Sequence, residues 1–115
     1  MKIMILGTEY KVTKRKESED VKLCDCDGYA DFTTKEIVLR EFSEKEKNEP
    51  QSVCDLTVYQ KKVLRHEIVH SFLNESGLRE CTTWARNEEI VDWIAIQFWK
   101  MADAMIDGEN YLDRQ

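Results

Sequence analysis

The apolar and polar positions divide the chain into a first part with the period of a strand and a second part with the period of a helix. Alternation at Ile3 and Ile5, and again at Tyr10 and Val12, predicts two short strands. Gly7 lies between them and is typical of a turn. The chain is therefore predicted to begin with two strands joined by a tight turn.

A second pair of strands is predicted by the segments 29–32 and 36–40, which flank a Thr33-Thr34-Lys35 turn. Phe32, Ile37 and Leu39 are expected to face the core. All strands then fall within about residues 2–42. The charged and polar segments between the elements predict loops at 15–28, 43–51 and 77–86.

A long helix is predicted over about residues 55–76. It begins near Asp55 or Thr57, and Thr57 with Gln60 three residues later has the form of a capping box. Gly77 is a natural stop. Apolar residues recur along its predicted buried face: Val58, Leu64, Ile68 and Phe72, with Val69 and Leu73 beside them.

A second long helix is predicted over about residues 87–107, from the N-cap residue Asn87 to Gly108. Its apolar stripe is expected to be core: Ile90, Ile94, Phe98, Met101 and Met105. Strands followed by helices predict an α+β fold. We expect one domain over residues 1–115, with a small, mostly antiparallel sheet packed on two long helices.

The formal net charge of −6 argues against a nucleic-acid partner, because a phosphate backbone binds a basic face and none is visible here. No apolar run approaches the ~20 residues of a membrane span. The first apolar run is also shorter than the ~7–15 residues of a signal-peptide core. A cytoplasmic protein is expected, and its oligomeric state is left open.

The four cysteines are Cys24, Cys26, Cys54 and Cys81. Free thiols are expected in a reducing compartment. Two alternatives stay open, namely a second metal site at Cys24 and Cys26 and a disulfide between Cys54 and Cys81.

The run His66-Glu67-Ile68-Val69-His70 is the motif that indicates chemistry. Positions i and i+4 of a helix share one face, so His66 and His70 can bind one ion. Glu67 lies beside that ion without binding it, where a general base for an activated water belongs. Because apolar residues bracket the two histidines, this part of the helix is expected to be buried. Burying two polar imidazoles without a partner costs free energy, and a bound metal would remove that cost.

A catalytic zinc usually has a third protein ligand. We expect it on the second helix, where Glu88 and Asp92 share one face. Glu88 is favoured as the ligand, with Asp92 accepting the second N–H of a ligating histidine. Glu89 is the alternative ligand. Acidic residues in a first helical turn are also favoured by the helix dipole alone.

At these residues the chain resembles a gluzincin-type zincin, which carries H-E-x-x-H on one helix and a third Glu ligand on a later one. The stretches His66–Gly77 and Asn87–Phe98 are more closely similar to small phage or prophage proteins grouped with the ImmA/IrrE-type metallo-endopeptidases. The resemblance covers most of the chain. It implies a minimal zincin-like fold with one zinc between the two helices, and regulatory proteolysis such as cleavage of a repressor.

The function expected is zinc-dependent hydrolysis of a peptide bond in a protein or peptide substrate. Glu67 would take the proton of the water and pass it to the leaving amine. A sheet edge near the strand 36–40 is expected to hold the substrate as an added strand. The oxyanion needs a further donor, for which Tyr59, Tyr29 and an arginine are candidates.

Two other readings stay open. A structural zinc with Cys81 or Cys54 as fourth ligand would indicate a non-catalytic interaction protein. A regulatory partner without metal would use an exposed tryptophan face. Two histidines and a carboxylate also suit iron, manganese or nickel.

Overall fold

The computed structural model describes residues 1–49 and 54–115. It has the predicted α+β architecture, with the strands first and the helices after them. The strands are β1 (Lys2–Ile5), β2 (Thr8–Arg15), β3 (Gly28–Asp31) and β4 (Glu36–Arg40). The helices are α1 (Glu44–Lys47), α2 (Leu56–Glu75), α3 (Leu78–Cys81) and α4 (Glu88–Asp113).

The sheet has the order β1-β2-β4-β3. The pairs β1/β2 and β3/β4 are antiparallel, as predicted, and β2 and β4 are parallel. Leu6 and Gly7 both have positive φ, which makes the first turn tight. The strand β4 is not itself an edge, because it pairs with β2 on one side and with β3 on the other. The free edge on that side of the sheet is β3.

One face of the sheet packs on α2. Ile37 and Leu39 are buried there, as predicted, with Ile5 and Tyr10, and Phe32 is half-buried against them. From α2, three apolar side chains complete this core: Val63, Leu64 and Ile68. Gly28 allows the close approach, since a Cβ at this position would lie 2.7 Å from Val63 Cγ1.

Polar contacts hold both ends of α2 on the sheet. The Glu75 carboxylate accepts hydrogen bonds from Tyr10 Oη at 2.6 Å and Lys35 Nζ at 2.7 Å. These hydrogen bonds, from Lys35 first and then from Tyr10, lower the pKa of Glu75 to about 2. Near the other end, Gln60 Nε2 donates to the Arg40 carbonyl at 2.5 Å. The helix that carries the His-Glu-x-x-His run is thus fixed relative to the sheet.

Gln60 does not complete a capping box with Thr57. Asp55 is the N-cap instead, and its side chain accepts from Val58 N–H. Gly77 has a φ of 82° directly after the C-cap Ser76, so the predicted stop is confirmed.

The predicted apolar face of α2 is partly wrong, because Val58 and Phe72 are 63% and 42% exposed. These two residues flank Arg65 at intervals of seven, so all three share one stripe. This stripe runs along α2 between the side that packs on the sheet and the side that packs on α4. The second side forms its own small core, made by Leu73 and Val69 with Ala85 and Val91.

The second long helix differs from its prediction in length and in the face it buries. Asn87 is the N-cap and accepts from Ile90 N–H, as expected, but α4 continues through Gly108 to Asp113. The residues it buries fully are Val91 and Ala95. In the predicted core stripe, three members are exposed: Ile90 at 38%, Phe98 at 46% and Met105 at 60%.

The predicted loops contain short helical turns. Residues 17–19 and 21–24 form 3₁₀ turns, and 84–86 form another before α4. The 43–51 segment begins with α1, capped by Ser43, and its residues 50 and 51 lie outside the described part of the chain. Within the described residues, no helix combines the length and apolar character needed to cross a membrane.

Candidate metal centre

The two motif helices run antiparallel and bring the predicted ligands together. His66 and His70 lie one turn apart on the side of α2 that faces α4. Arg65 Nε donates to the Ala95 carbonyl at 2.7 Å and ties the helices side by side. The Asn87 cap makes Glu88 the first residue of α4, so its carboxylate lies opposite both histidines.

Three atoms of these side chains converge. His66 Nε2 lies 2.9 Å from Glu88 Oε2 and 3.1 Å from His70 Nε2. His70 Nε2 lies 3.2 Å from Glu88 Oε2. A tetrahedral zinc with bonds of about 2.0–2.1 Å requires ligand atoms roughly 3.3 Å apart. The triangle is therefore within a few tenths of an ångström of a metal-binding face.

The second nitrogen of His66 has its own partner. His66 Nδ1 lies 3.3 Å from Asp92 Oδ1, within hydrogen-bond reach for a tautomer that carries its proton on Nδ1. In that tautomer Nε2 is unprotonated on the side of Glu88 and His70 and is able to bind an ion. Asp92 therefore stands where the sequence predicts an orienting carboxylate.

The charges of the cluster also favour a cation. Burial lowers the pKa of His70, against the opposing effect of Glu88, and so favours its neutral form. Burial opposes the charged form of Glu88, but its interactions with His70 and His66 outweigh burial and lower the pKa of Glu88. A neutral imidazole and an ionised carboxylate are the forms in which these groups bind metals.

Glu89 is placed differently from Glu88. The group of side chains able to hold one ion, among residues 1–49 and 54–115, consists of His66, His70 and Glu88. Glu89 is exposed and one residue further round the helix, a rotation of about 100°. The geometry therefore favours Glu88 over the alternative ligand.

Glu67 lies on the other side of α2, toward the sheet. Its side chain is buried, and burial raises its pKa to about 7, against the opposing effects of the His66 charge and the Ala30 backbone N–H. A carboxyl group with this pKa can both take and release a proton near neutral pH.

The histidines, Glu67 and Glu88 open into one cleft of about 430 Å³. The opposite wall is the β3 edge at Gly28 and Ala30, together with Phe32, which directly follows the strand. A wider depression of about 590 Å³ is lined by Arg40, which forms ion pairs with Glu17 and Glu46. The smaller cleft is the one that contains the candidate ligands and Glu67.

Two further residues also line this cleft, Arg79 and Cys26. The Arg79 guanidinium lies over the Phe32 ring at 5.1 Å, and its nearest ion-pair contact, Glu80, is 4.0 Å away. Arg79 could have been considered from the sequence, because it follows the Gly77 stop in the connection between the two motif helices. Cys26 was considered only as part of a second metal site with Cys24.

The tyrosines considered as oxyanion donors have other partners. The Tyr59 hydroxyl donates to Asp27, and the Tyr29 hydroxyl donates to Asp20. Burial raises the pKa of each phenol to about 12. Tyr59 does not line the cleft, and Tyr29 lines it, but its hydroxyl is bonded to Asp20.

The cysteines are free thiols, and none belongs to the His66, His70 and Glu88 cluster. Comparison with known proteins gives no significant match to a family model, a curated protein or a solved structure.

Proposed function

We propose that this protein is a zinc-dependent peptide hydrolase. The observation that carries the proposal is the convergence of His66, His70 and Glu88 in a cleft that also contains the buried Glu67. Zinc held by these three ligands would lower the pKa of a water toward about 7 and polarise a peptide carbonyl. The metal analysis described below would also detect a different divalent metal in place of zinc.

Glu67 is the proposed general base. Its carboxylate lies in the same cleft but on a different side of α2 from the ligand atoms, so it is free to act on a proton. It would take the proton of the attacking water and deliver it to the nitrogen of the leaving amine. Its raised pKa suits both steps near neutral pH.

The β3 edge is the proposed docking strand for an extended peptide. It is a free edge of the sheet, and its residues form one wall of the cleft. A peptide added there would pair its backbone with β3 and cross in front of the histidines. The proposed substrate is a protein segment, such as an exposed strand of a repressor-type regulator in a phage or prophage host. The proposed compartment is the cytoplasm.

Arg79 is the proposed donor to the carbonyl oxygen that gains charge during the reaction. It lines the cleft and stacks on Phe32, which orders a guanidinium that has no close carboxylate partner among the described residues. Arg79→Ala is expected to lower kcat by about 100-fold while metal content is unchanged. Arg86→Ala, in the turn before α4, is the matched control. An equal kcat for wild type and Arg79→Ala would show that Arg79 does not stabilise the charged oxygen.

The metal site is tested by mass spectrometry of protein purified without a histidine tag. One zinc per chain is expected in wild type and Glu89→Ala, and loss of the metal is expected in Glu88→Ala. Absence of stoichiometric metal after zinc is supplied would overturn the proposal.

Hydrolysis is tested separately by digestion of a mixed peptide library, read by mass spectrometry. Wild type should cleave it, whereas Glu67→Gln should bind zinc and not cleave. Equal cleavage by both would exclude Glu67 as the base. A zinc–sulfur distance of about 2.3 Å in X-ray absorption, without cleavage, would instead indicate the structural-zinc interaction protein.

A further inference from the structure

The end of α4 lies outside the packed body of the protein. Because α2 and α4 are antiparallel, α4 passes the beginning of α2 at about residue 102. Every residue from Asp103 to the end of the chain is exposed. The segment 103–113 adds about 16 Å of helix beyond that point. The long dimension of the molecule is accordingly 56 Å, against 34 Å and 28 Å for the others.

This segment continues an apolar seam that begins in the core. The seam positions alternate by three and four residues: Val91, Ile94, Phe98, Met101, Met105, Gly108 and Leu112. Val91 is 0% exposed, and Phe98, Met105 and Leu112 are 46%, 60% and 67% exposed. Ile94 and Met101 are half-buried. The first members are covered by α2 and the turn before α4. A three–four spacing is the pattern by which one helix packs along another.

The charges of the segment are arranged beside the seam. The acidic residues Asp103, Asp107 and Asp113 fall at other positions of the heptad, and only Glu109 adjoins the seam. Small residues, Ala102 and Ala104, flank it and allow a close approach of a second helix. The seam is therefore built for contact with a helix rather than for solvent.

We propose that the occupant is the same segment of a second copy, packed antiparallel to form a two-fold dimer. In the antiparallel register that pairs Met105 with Gly108 of the second copy, a long side chain meets a position without one. Met101 then meets Leu112 of the second copy. Each chain supplies both halves of each contact, so the interface closes with two subunits.

The exposed area fits a weak dimer of this kind. Phe98, Met105 and Leu112 of the seam are 46%, 60% and 67% exposed, and Tyr111, which flanks the seam, is 58% exposed. For side chains of roughly 200 Å² each, these fractions leave about 460 Å² of side-chain surface per copy. Two copies together offer about 900 Å², just below the ~1,000 Å² of a stable specific interface. This modest area predicts a dissociation constant in the micromolar range.

The test is sedimentation equilibrium of the full chain between about 5 and 500 µM. We expect a mass that rises from 13.6 kDa toward twice that value. Met105→Glu and Leu112→Glu should raise the dissociation constant by about 10-fold or more, because each places a charge in the seam. Ile106→Glu is the matched control, since Ile106 is 54% exposed but lies off the seam.

All three residues are exposed, so circular dichroism should show the variants folded. A monomer at the highest concentration would overturn the proposal and leave the segment to a different partner. Equal dissociation constants for Met105→Glu and Ile106→Glu would also overturn it, because the dimer would then use another surface. Neither result depends on metal binding or hydrolysis.

Discussion

The buried carboxyl group of Glu67 leads to a prediction about stability that needs no substrate. Its side chain is 9% exposed, and burial raises its pKa from an ordinary 4.5 to about 7. In the unfolded chain Glu67 loses its proton near pH 4.5, whereas in the folded protein it keeps the proton to about pH 7. Between these values the unfolded state binds fewer protons, so stability falls as the pH rises.

The magnitude follows from the shift. One pKa unit corresponds to about 1.4 kcal/mol, so ionising Glu67 in the folded protein costs roughly 3 kcal/mol above pH 8. Glu67→Gln keeps the shape of the side chain and removes the ionisation. The variant should therefore gain about 2–3 kcal/mol of unfolding free energy relative to wild type between pH 5 and pH 8.

The assay is urea unfolding at pH 5 and pH 8 with a chelator present, and tryptophan fluorescence monitors the unfolding. Glu89→Gln is the control, because Glu89 is exposed. The difference in unfolding free energy between Glu89→Gln and wild type should be the same at both pH values. A Glu67→Gln difference that is equally independent of pH would refute the assignment of the raised pKa to Glu67.

Two further predictions concern orientation and packing. Asp92→Ala should weaken zinc binding by about 10–100-fold in a chelator competition, because His66 loses the partner of its Nδ1–H, whereas Asp103→Ala should bind as wild type does. Gly28→Ala should cost about 1–3 kcal/mol in urea unfolding, since the added Cβ meets Val63 Cγ1 at 2.7 Å. In a Val63→Ala background the same change should cost clearly less, and an unchanged cost would place the strain elsewhere.

Local signals predicted most of the elements correctly. The turn at Gly7, the hairpin of β3 and β4, the Asn87 cap and the Gly77 stop each depend on a few neighbouring residues. The same is true of the His66 and His70 pair, because a spacing of four places two side chains on one face of a helix wherever that helix packs.

The errors arose where a residue depends on a distant element. The stripe of α4 has the apolar pattern of a core helix, yet Met105 is exposed because it lies where α4 has passed the beginning of α2. Gly108 carries a stop signal, but helical geometry continues through it to Asp113. The position of β4 inside the sheet depends on its parallel pairing with β2, which the local pattern does not specify.

The sequence by itself determined which side chains are able to form a metal site. A histidine pair at i and i+4, with Glu67 beside it, follows from the geometry of a single helix. Only the tertiary structure decided the rest of the cleft. The rotation of α4 about its own axis selects Glu88 over Glu89, and the connection between the helices brings Arg79 to Phe32. These choices depend on how two helices and a sheet pack together, and that packing is set by the summed burial of many side chains rather than by any local motif.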